Sequence, residues 1–278
     1  MVNLFVAAAL AAASPADVPS VATAAPSAPA AATPAMFVVR DADTTIYLFG
    51  TFHALDGRSE WFAHAIGDAF DQSHELVLET LIPKAAASPV PPPPPRPAFS
   101  NWSVAPSASF LATTRMAIRA GRSRGMQVDN GADMVLRRAA EAAGKPVGGL
   151  ETIESQLNMF THLPAEQPET AAPRAGEPVA TAAATMENLS DAMAEMQAAW
   201  KRGDQSVFVR MLGELRSSSP ATYRALFAAR NARWADWVSA RMDTPGTVFV
   251  AVGAGHLAGS DSLLVRLAEL GIKSARVD

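Results

Sequence analysis

Apolar positions change period several times along the chain, and the changes mark out its elements. Residues 36–40 and 45–49 are short runs rich in β-branched and aromatic residues, separated by Asp41-Ala42-Asp43, which is the pattern of a hairpin. From 60 to 72 the apolar residues Trp61, Phe62, Ala65, Ile66 and Ala69 recur at helical spacing. Leu76-Val77-Leu78 predicts a third strand, ending at Glu79. Helices are predicted over 107–120 and 132–143, the second stopped by Gly144. Residues 145–150 read as a strand, and a helix opens near Thr152. Three helical stretches follow with no strand between them, at 185–202, 205–215 and 220–242. The last carries an apolar stripe of Tyr223, Leu226, Phe227, Trp234, Trp237 and Val238. Past Thr244-Pro245-Gly246 come a strand over 247–252, a helix over 262–270 and a closing strand over 274–277. Strands and helices alternate, give way to an all-helical middle, and return as β-α-β. That order predicts an α/β domain with a mixed, largely parallel central sheet flanked by helices, the middle helices being an insertion.

Three stretches lack the pattern. Residues 2–13 are almost entirely Ala, Leu, Val and Phe and end in Ala11-Ala12-Ala13, so 1–13 is expected to be a signal peptide. A run of that length is too short to span a bilayer. Residues 14–35 are mostly Ala, Pro, Ser and Thr with one acid and no aromatic residue, the composition of a disordered linker before a domain at 36–278. Within that domain 83–100 contains five consecutive prolines, Pro91 to Pro95, and reads as an extended insertion. Residues 164–178 are poor in apolar residues and read as a loop.

Charge and cysteine usage narrow the class. The net charge is −4 and basic residues do not cluster, so no nucleic-acid partner is expected. No internal apolar stretch reaches the roughly eighteen residues of a membrane helix, so no stable span is expected once the signal is removed. Cysteine is absent, which excludes disulfides, a thiol nucleophile, thiolate metal sites and a lipid-anchored cysteine. An exported chain of this kind, periplasmic or secreted, relies on its core or on a bound metal.

The candidate chemistry lies at strand ends. Gly50-Thr51-Phe52-His53 follows one predicted buried strand, and Gly253-Ala254-Gly255-His256 follows another. In open α/β sheets ligands bind beyond the carboxyl ends of the strands, and neutral imidazole is a common ligand for Zn²⁺-like ions and a general base. Glu79 ends the third strand and would share that edge. Two histidines and a glutamate, with room for water, have the composition of a catalytic divalent-metal site. Glu151, after Gly148-Gly149-Leu150, reads either as an acid at a helix N-terminus or as a second carboxylate of the site, ligand or base. Arg230 falls inside the apolar stripe, with Asn231 at its border. A charge there either finds a partner, whether a site carboxylate or a substrate oxyanion, or snorkels to the rim. Gly121-Arg122-Ser123-Arg124-Gly125 matches G-x-S-x-G, but a helix precedes it where a nucleophile elbow needs a strand. His64, His74 and His162 form no H-E-x-x-H.

Taken in order, these residues resemble the TraB/GumN family: Gly50 to His53, Leu76 to Glu79, 146–152 with Gln156, Arg230-Asn231-x-x-Trp234, and Val252 to Gly259. The resemblance implies kinship with the Tiki proteins and similarity to the erythromycin-esterase and ChaN-like group. It implies a metal-dependent hydrolase, the animal Tiki members being proteases that use Mn²⁺ or Co²⁺. The family's paired Gly-x-x-His motifs and glutamate carry over to His53, His256 and Glu79 as metal ligands. Glu79 or Glu151 is then the base, and Arg230, with Asn231 beside it, the stabiliser of negative charge. The expectation is a metallopeptidase using Mn, Co or Zn on a peptide or protein substrate. Two other readings stay open: an envelope module that binds iron or haem without hydrolysis, and a catalytically degenerate assembly factor for envelope polysaccharide.

Overall fold

The computed structural model describes residues 33–58, 60–81, 106–163 and 182–277, with side chains from 115 and from 186 in the two helices that open the later segments. The expected signal peptide, nearly all of the expected linker, the proline-rich insertion at 83–100 and the loop at 164–178 lie outside the described residues.

Among the described residues six strands form one sheet: β1 (Met36–Arg40), β2 (Thr44–Thr51), β3 (Glu75–Leu81), β4 (Val147–Thr152), β5 (Gly246–Gly253) and β6 (Ser274–Val277), in the order β4-β3-β5-β2-β1-β6. The β1–β2 hairpin turns on Asp41, whose Oδ1 accepts hydrogen bonds from the N–H groups of Asp43 at 3.1 Å and Thr44 at 2.9 Å. Both β1 pairings are antiparallel, while β2–β5, β5–β3 and β3–β4 are parallel. The sheet is therefore mixed and largely parallel, as the element order predicts.

The helices are α1 (His64–Gln72), α2 (Pro106–Ser123), α3 (Ala132–Ala142), α4 (Ile153–Thr161), α5 (Ala182–Lys201), α6 (Ser206–Ser218), α7 (Pro220–Tyr223), α8 (Ala229–Met242) and α9 (Leu263–Glu269). Helix α4 starts where the sequence opens it, with Thr152 Oγ1 accepting from Ser155 N at 3.1 Å. Helix α1 starts four residues later than its apolar spacing suggests, because Ala63 is extended. The long helix predicted over 220–242 is interrupted: 224–228 is a π-helical turn between α7 and α8, in which Ala229 N–H reaches back to Arg224 O. Apolar spacing does not register one extra residue per turn over so short a length.

Strand alternation sends two different sets of side chains to the two faces. One face is aromatic: Phe49, Phe249, Leu76 and Leu78 pack with Trp61, Phe70, Leu136, Trp200 and Phe208. Trp200 also donates from Nε1 to Gly50 O at 2.7 Å, so this large ring keeps its polar atom satisfied while buried. The other face is aliphatic: Ile46, Leu48, Val77, Val248, Val250 and Val252 lie under Trp234, Ala235 and Val238 of α8 and Leu263 and Leu267 of α9. This second packing fixes α8 over the parallel strands, and so fixes whatever its buried polar residues meet.

Because β2, β3, β4 and β5 run in one direction, their carboxyl ends share one edge. Thr51 pairs with Gly253, Leu78 with Ala251, and Thr80 with Glu151.

Candidate functional site

All six residues singled out in the sequence meet at that edge. His53 lies two residues beyond β2, in a segment stapled to 127–132. Leu55 and Gln127 exchange backbone hydrogen bonds at 3.2 and 2.9 Å, and Ala132 N donates to Phe52 O at 2.9 Å. Gly131 lies so close that a Cβ there would be 2.4 Å from His53 O, which only glycine tolerates. Glu79 lies within β3, and its Oε2 accepts from Gly253 N at 3.1 Å. Glu151 is in β4, His256 in a 3₁₀ turn (Ala254–Leu257) that follows β5, and Arg230 and Asn231 in the first turn of α8.

Arg230 is the hub. Its side chain is 5% exposed, and of the partners open to it in the sequence it takes the carboxylates. Nη2 lies 2.6 Å from Glu79 Oε1 and 2.9 Å from Glu151 Oε2. Nε donates to Glu151 Oε1 and Oε2 at 3.1 and 3.0 Å, and Nη1 to Leu226 O at 3.2 Å. Its guanidinium carbon lies 4.6 Å from the centre of the Trp234 ring, a cation–π contact. Two carboxylates are what allow a guanidinium to be buried here without a large desolvation penalty. Arg233, one turn on, adds a 3.1 Å bond to Glu151 from a solvent-exposed position. Its partnership with Glu151 was not visible in the sequence, although its spacing from Arg230 could have suggested a second cation on the same side of α8.

Hydrogen bonding fixes the histidine tautomers. Asn231 Nδ2 donates to Asp261 O at 2.7 Å, which turns its Oδ1 toward His256 Nδ1, also at 2.7 Å. Nδ1 of His256 therefore carries the proton, and Nε2 offers a lone pair, now 3.3 Å from Arg230 Nη1. The ring is wedged between Phe227 and Trp234, with centroids 4.9 and 4.4 Å away. Burial, reinforced by the Arg230 charge and only partly opposed by Glu79, lowers its pKa to about 3 and keeps it neutral. His53 has a carboxylate on the same ring atom: Nδ1 lies 3.1 Å from Asp133 Oδ1. Desolvation works against its charge, but the hydrogen bond and charge of Asp133, with the charge of Glu79, outweigh it and raise the pKa. With 61% of that side chain exposed, solvent at the open edge of the ring screens both carboxylates. Burial opposes ionisation of Glu79, and the charges of His256, Arg230 and His53 with the Arg230 hydrogen bond lower its pKa to about 2. As His256 is neutral around pH 7, Arg230 is the group that holds Glu79 ionised there.

The free imidazole edges and Glu79 converge at Gly253. A Cβ on that glycine would sit 3.4 Å from Glu79 Oε2, 3.4 Å from His53 Nε2 and 3.6 Å from His256 Cδ2. Beside this point opens a cleft of about 270 Å³, lined among others by Thr51, His53, Glu79, Thr80, Asp133 and Gln156. Thr51 Oγ1 and Thr80 Oγ1 are buried with no hydrogen-bond partner among the described residues. Asp133 is thus part of the site, and no motif in the sequence marks it. Ser123 of the G-x-S-x-G match lies in the last turn of α2 and donates to Ala120 O at 2.7 Å, so no nucleophile elbow forms.

The donor chemistry suits a divalent ion. Two imidazoles have their Nδ1–H groups anchored by an amide and a carboxylate, the arrangement that aims Nε2 at a metal, and glycine leaves a gap where they meet Glu79. Among the described residues, though, no three His, Asp or Glu side chains are spaced to enclose an ion as they stand. Arg230 occupies the space between the two carboxylates. An ion bound at His53, Glu79 and His256 would draw Glu79 and His256 partly away from the guanidinium.

Comparison with known proteins gives one match. No curated protein and no solved structure matches the chain. The model of the TraB/PrgY/gumN family matches residues 35–90 and 95–276, all of the sheet but Val277 and all of the helices described above, including every residue of the site. The chain belongs to the TraB/PrgY/gumN family.

Proposed function

We propose that the chain is an exported, metal-dependent hydrolase of peptide bonds that works at the carboxyl edge of the parallel strands. The observation that carries this reading is the convergence of His53 Nε2, Glu79 Oε2 and His256 around Gly253. His53, Glu79 and His256 would hold the ion, which when bound supplies Lewis acidity and an acidified water. The chain's own groups divide the remaining tasks. Arg230 keeps Glu79 ionised at neutral pH and ties it to Glu151. Glu151, engaged by both Arg230 and Arg233, serves as the anchor of that pair, which leaves Glu79 as the carboxylate that faces the cleft. His256, neutral and hydrogen-bonded through Nδ1, is a fixed lone-pair donor. The substrate enters beside His53, the exposed member of the set.

Purified mature chain incubated with Mn²⁺, Co²⁺ or Zn²⁺ is expected to take up one ion and to cleave members of a fluorogenic peptide library. Absence of uptake for all three ions sinks the reading. A second reading draws on Arg230, which already satisfies both carboxylates: a site retained as a structural ion cluster in an assembly factor. The two separate on thermal melting, since an ion that binds the native state raises the melting temperature in proportion to its affinity. A structural cluster leaves the melting temperature indifferent to added Mn²⁺.

A further inference from the structure

We infer that Asp133 is the positioning residue of His53, selecting its tautomer and aiming Nε2 at the point where Glu79 and His256 meet. The inference deepens the proposed function and rests on it for its meaning, though not for its test. Three features lead to it. His53 is the exposed member of the set, and among the described residues its ring makes one hydrogen bond, Nδ1 to Asp133 Oδ1 at 3.1 Å. An ionised carboxylate accepts only, so in the neutral ring Nδ1 carries the proton and Nε2 is left bare. The Asp133 side of the pair is itself held. Asp133 lies in the first turn of α3, and the segment before that helix is joined to the His53 segment by the Ala132–Phe52 and Leu55–Gln127 bonds and by the close approach of Gly131 to His53 O. The first turn of α3 and the His53 segment are thus joined through the main chain, and the side-chain bond is the last link in a clamp whose other links are backbone. His256 has the same device by another route, with Asn231 on its Nδ1. An outer partner that orients a ligating imidazole usually contributes about 10–100-fold to metal affinity.

A plainer role for Asp133 is that of an acid favoured at a helix N-terminus. The two roles differ in what they move. The test is ¹⁵N NMR of the imidazoles in the metal-free full chain, in alkaline buffer where His53 is neutral, for wild type, Asp133→Asn and Asp133→Ala. Mn²⁺ titration calorimetry of the same three proteins goes alongside. The expected result is an Nδ1–H tautomer for His53 in wild type and in Asp133→Asn, whose amide oxygen can still accept. In Asp133→Ala the proton redistributes toward Nε2, and Mn²⁺ affinity falls about 10–100-fold, with the asparagine variant in between. A His53 tautomer unchanged in Asp133→Ala overturns the inference, as does equal Mn²⁺ affinity in wild type and Asp133→Ala. A change confined to the melting temperature assigns Asp133 to the helix terminus alone, and also overturns it. If wild type takes up none of Mn²⁺, Co²⁺ and Zn²⁺, the proposed function fails and the tautomer alone decides on Asp133. Should the alanine variant not fold, Asp133→Leu, close to aspartate in shape and without an acceptor, takes its place in the same two measurements.

Discussion

The two Gly-x-x-His turns leave hydrogen-bonded neighbouring strands one residue out of step, Gly50 opposite Val252 and Thr51 opposite Gly253, yet their histidines live in opposite surroundings. After β5 the chain coils into a 3₁₀ turn beneath α8, and His256 is 4% exposed, neutral and wedged between two tilted aromatic rings. After β2 the chain runs on to meet the segment before α3, and the ring of His53 stands 61% exposed beside a carboxylate. A short motif delivers a histidine to the sheet edge. What packs against it decides whether the ring is a rigid fixture or a group presented to a substrate. The buried half should therefore answer mutation with lost stability, and the open half with lost function.

The largest effect is expected at Arg230. Arg230→Met keeps much of the packing but leaves Glu79 and Glu151 in the protein without their main cation. Breaking a buried ion pair by removing one partner costs about 3–5 kcal/mol, so this variant should lose about that much in urea unfolding or fail to accumulate as folded protein. A loss below about 1 kcal/mol would mean that the buried half is not one coupled unit, and the contrast with the open half would collapse.

Next comes the histidine pair itself. His256→Ala empties a space between Phe227 and Trp234 and leaves Asn231 Oδ1 buried without its donor, for a cost of about 2–4 kcal/mol from cavity and unmet hydrogen bond together. His53→Ala, at an exposed position, should stay within about 0.5 kcal/mol of wild type. Both should abolish hydrolysis. Equal stability losses in matched denaturant titrations would erase the distinction.

Much of this was readable before the structure. The strand runs, the all-helical middle and the strand-end positions of His53, Glu79, Glu151 and His256 follow from period and punctuation, because buried strands and amphipathic helices impose those patterns locally. The position of Arg230 within an apolar stripe shows that it needs a partner. Which partner it takes depends on how α8 lies across the sheet, and that is set by Trp234, Ala235 and Val238 packing on the aliphatic face. Asp133 was invisible for a similar reason. Its link to His53 passes through the backbone pairing of 55 with 127 and 132 with 52, and backbone pairing between loops leaves no side-chain signature. The π-helical turn at 224–228 was equally silent.

Acid should separate the two histidines more gently. His256 has its pKa lowered from 6.5 to about 3, and Glu79 from 4.5 to about 2. In both cases the unfolded chain binds more protons than the native one as pH falls. The stability each contributes is complete above its unfolded pKa and is lost on the way down to its folded one. Wild type should therefore weaken from pH 6.5 downward through His256, with Glu79 joining below pH 4.5. His53, with its pKa raised, has the opposite sign: its contribution is complete below pH 6.5 and fades as pH rises through the folded value. Melting curves of His256→Gln should be flatter than wild type between pH 6.5 and 4.5, and those of His53→Gln should not. A His256→Gln curve parallel to wild type in that interval would show that the buried ring is not the titrating group.

No loss of stability, with a full loss of function, is expected at the point where the two halves meet. Gly253 has φ −52° and ψ 136°, a conformation that alanine adopts without strain. The added Cβ would meet its neighbours at 3.4 to 3.6 Å, which is ordinary contact. Folding of Gly253→Ala should then match wild type or exceed it by about 0.4–1 kcal/mol, because alanine restricts the unfolded chain. The neighbours that it touches are Glu79 Oε2, His53 Nε2 and the His256 ring, so the methyl group sits where an ion or a reacting water would have to be. The expected outcome is a protein with the wild-type melting temperature or slightly above it, no Mn²⁺ uptake by calorimetry and no peptide cleavage. A stable Gly253→Ala that still bound Mn²⁺ with wild-type affinity would move the ion away from the place where these three side chains converge. It would leave the buried and the open histidine as two separate features of one sheet edge.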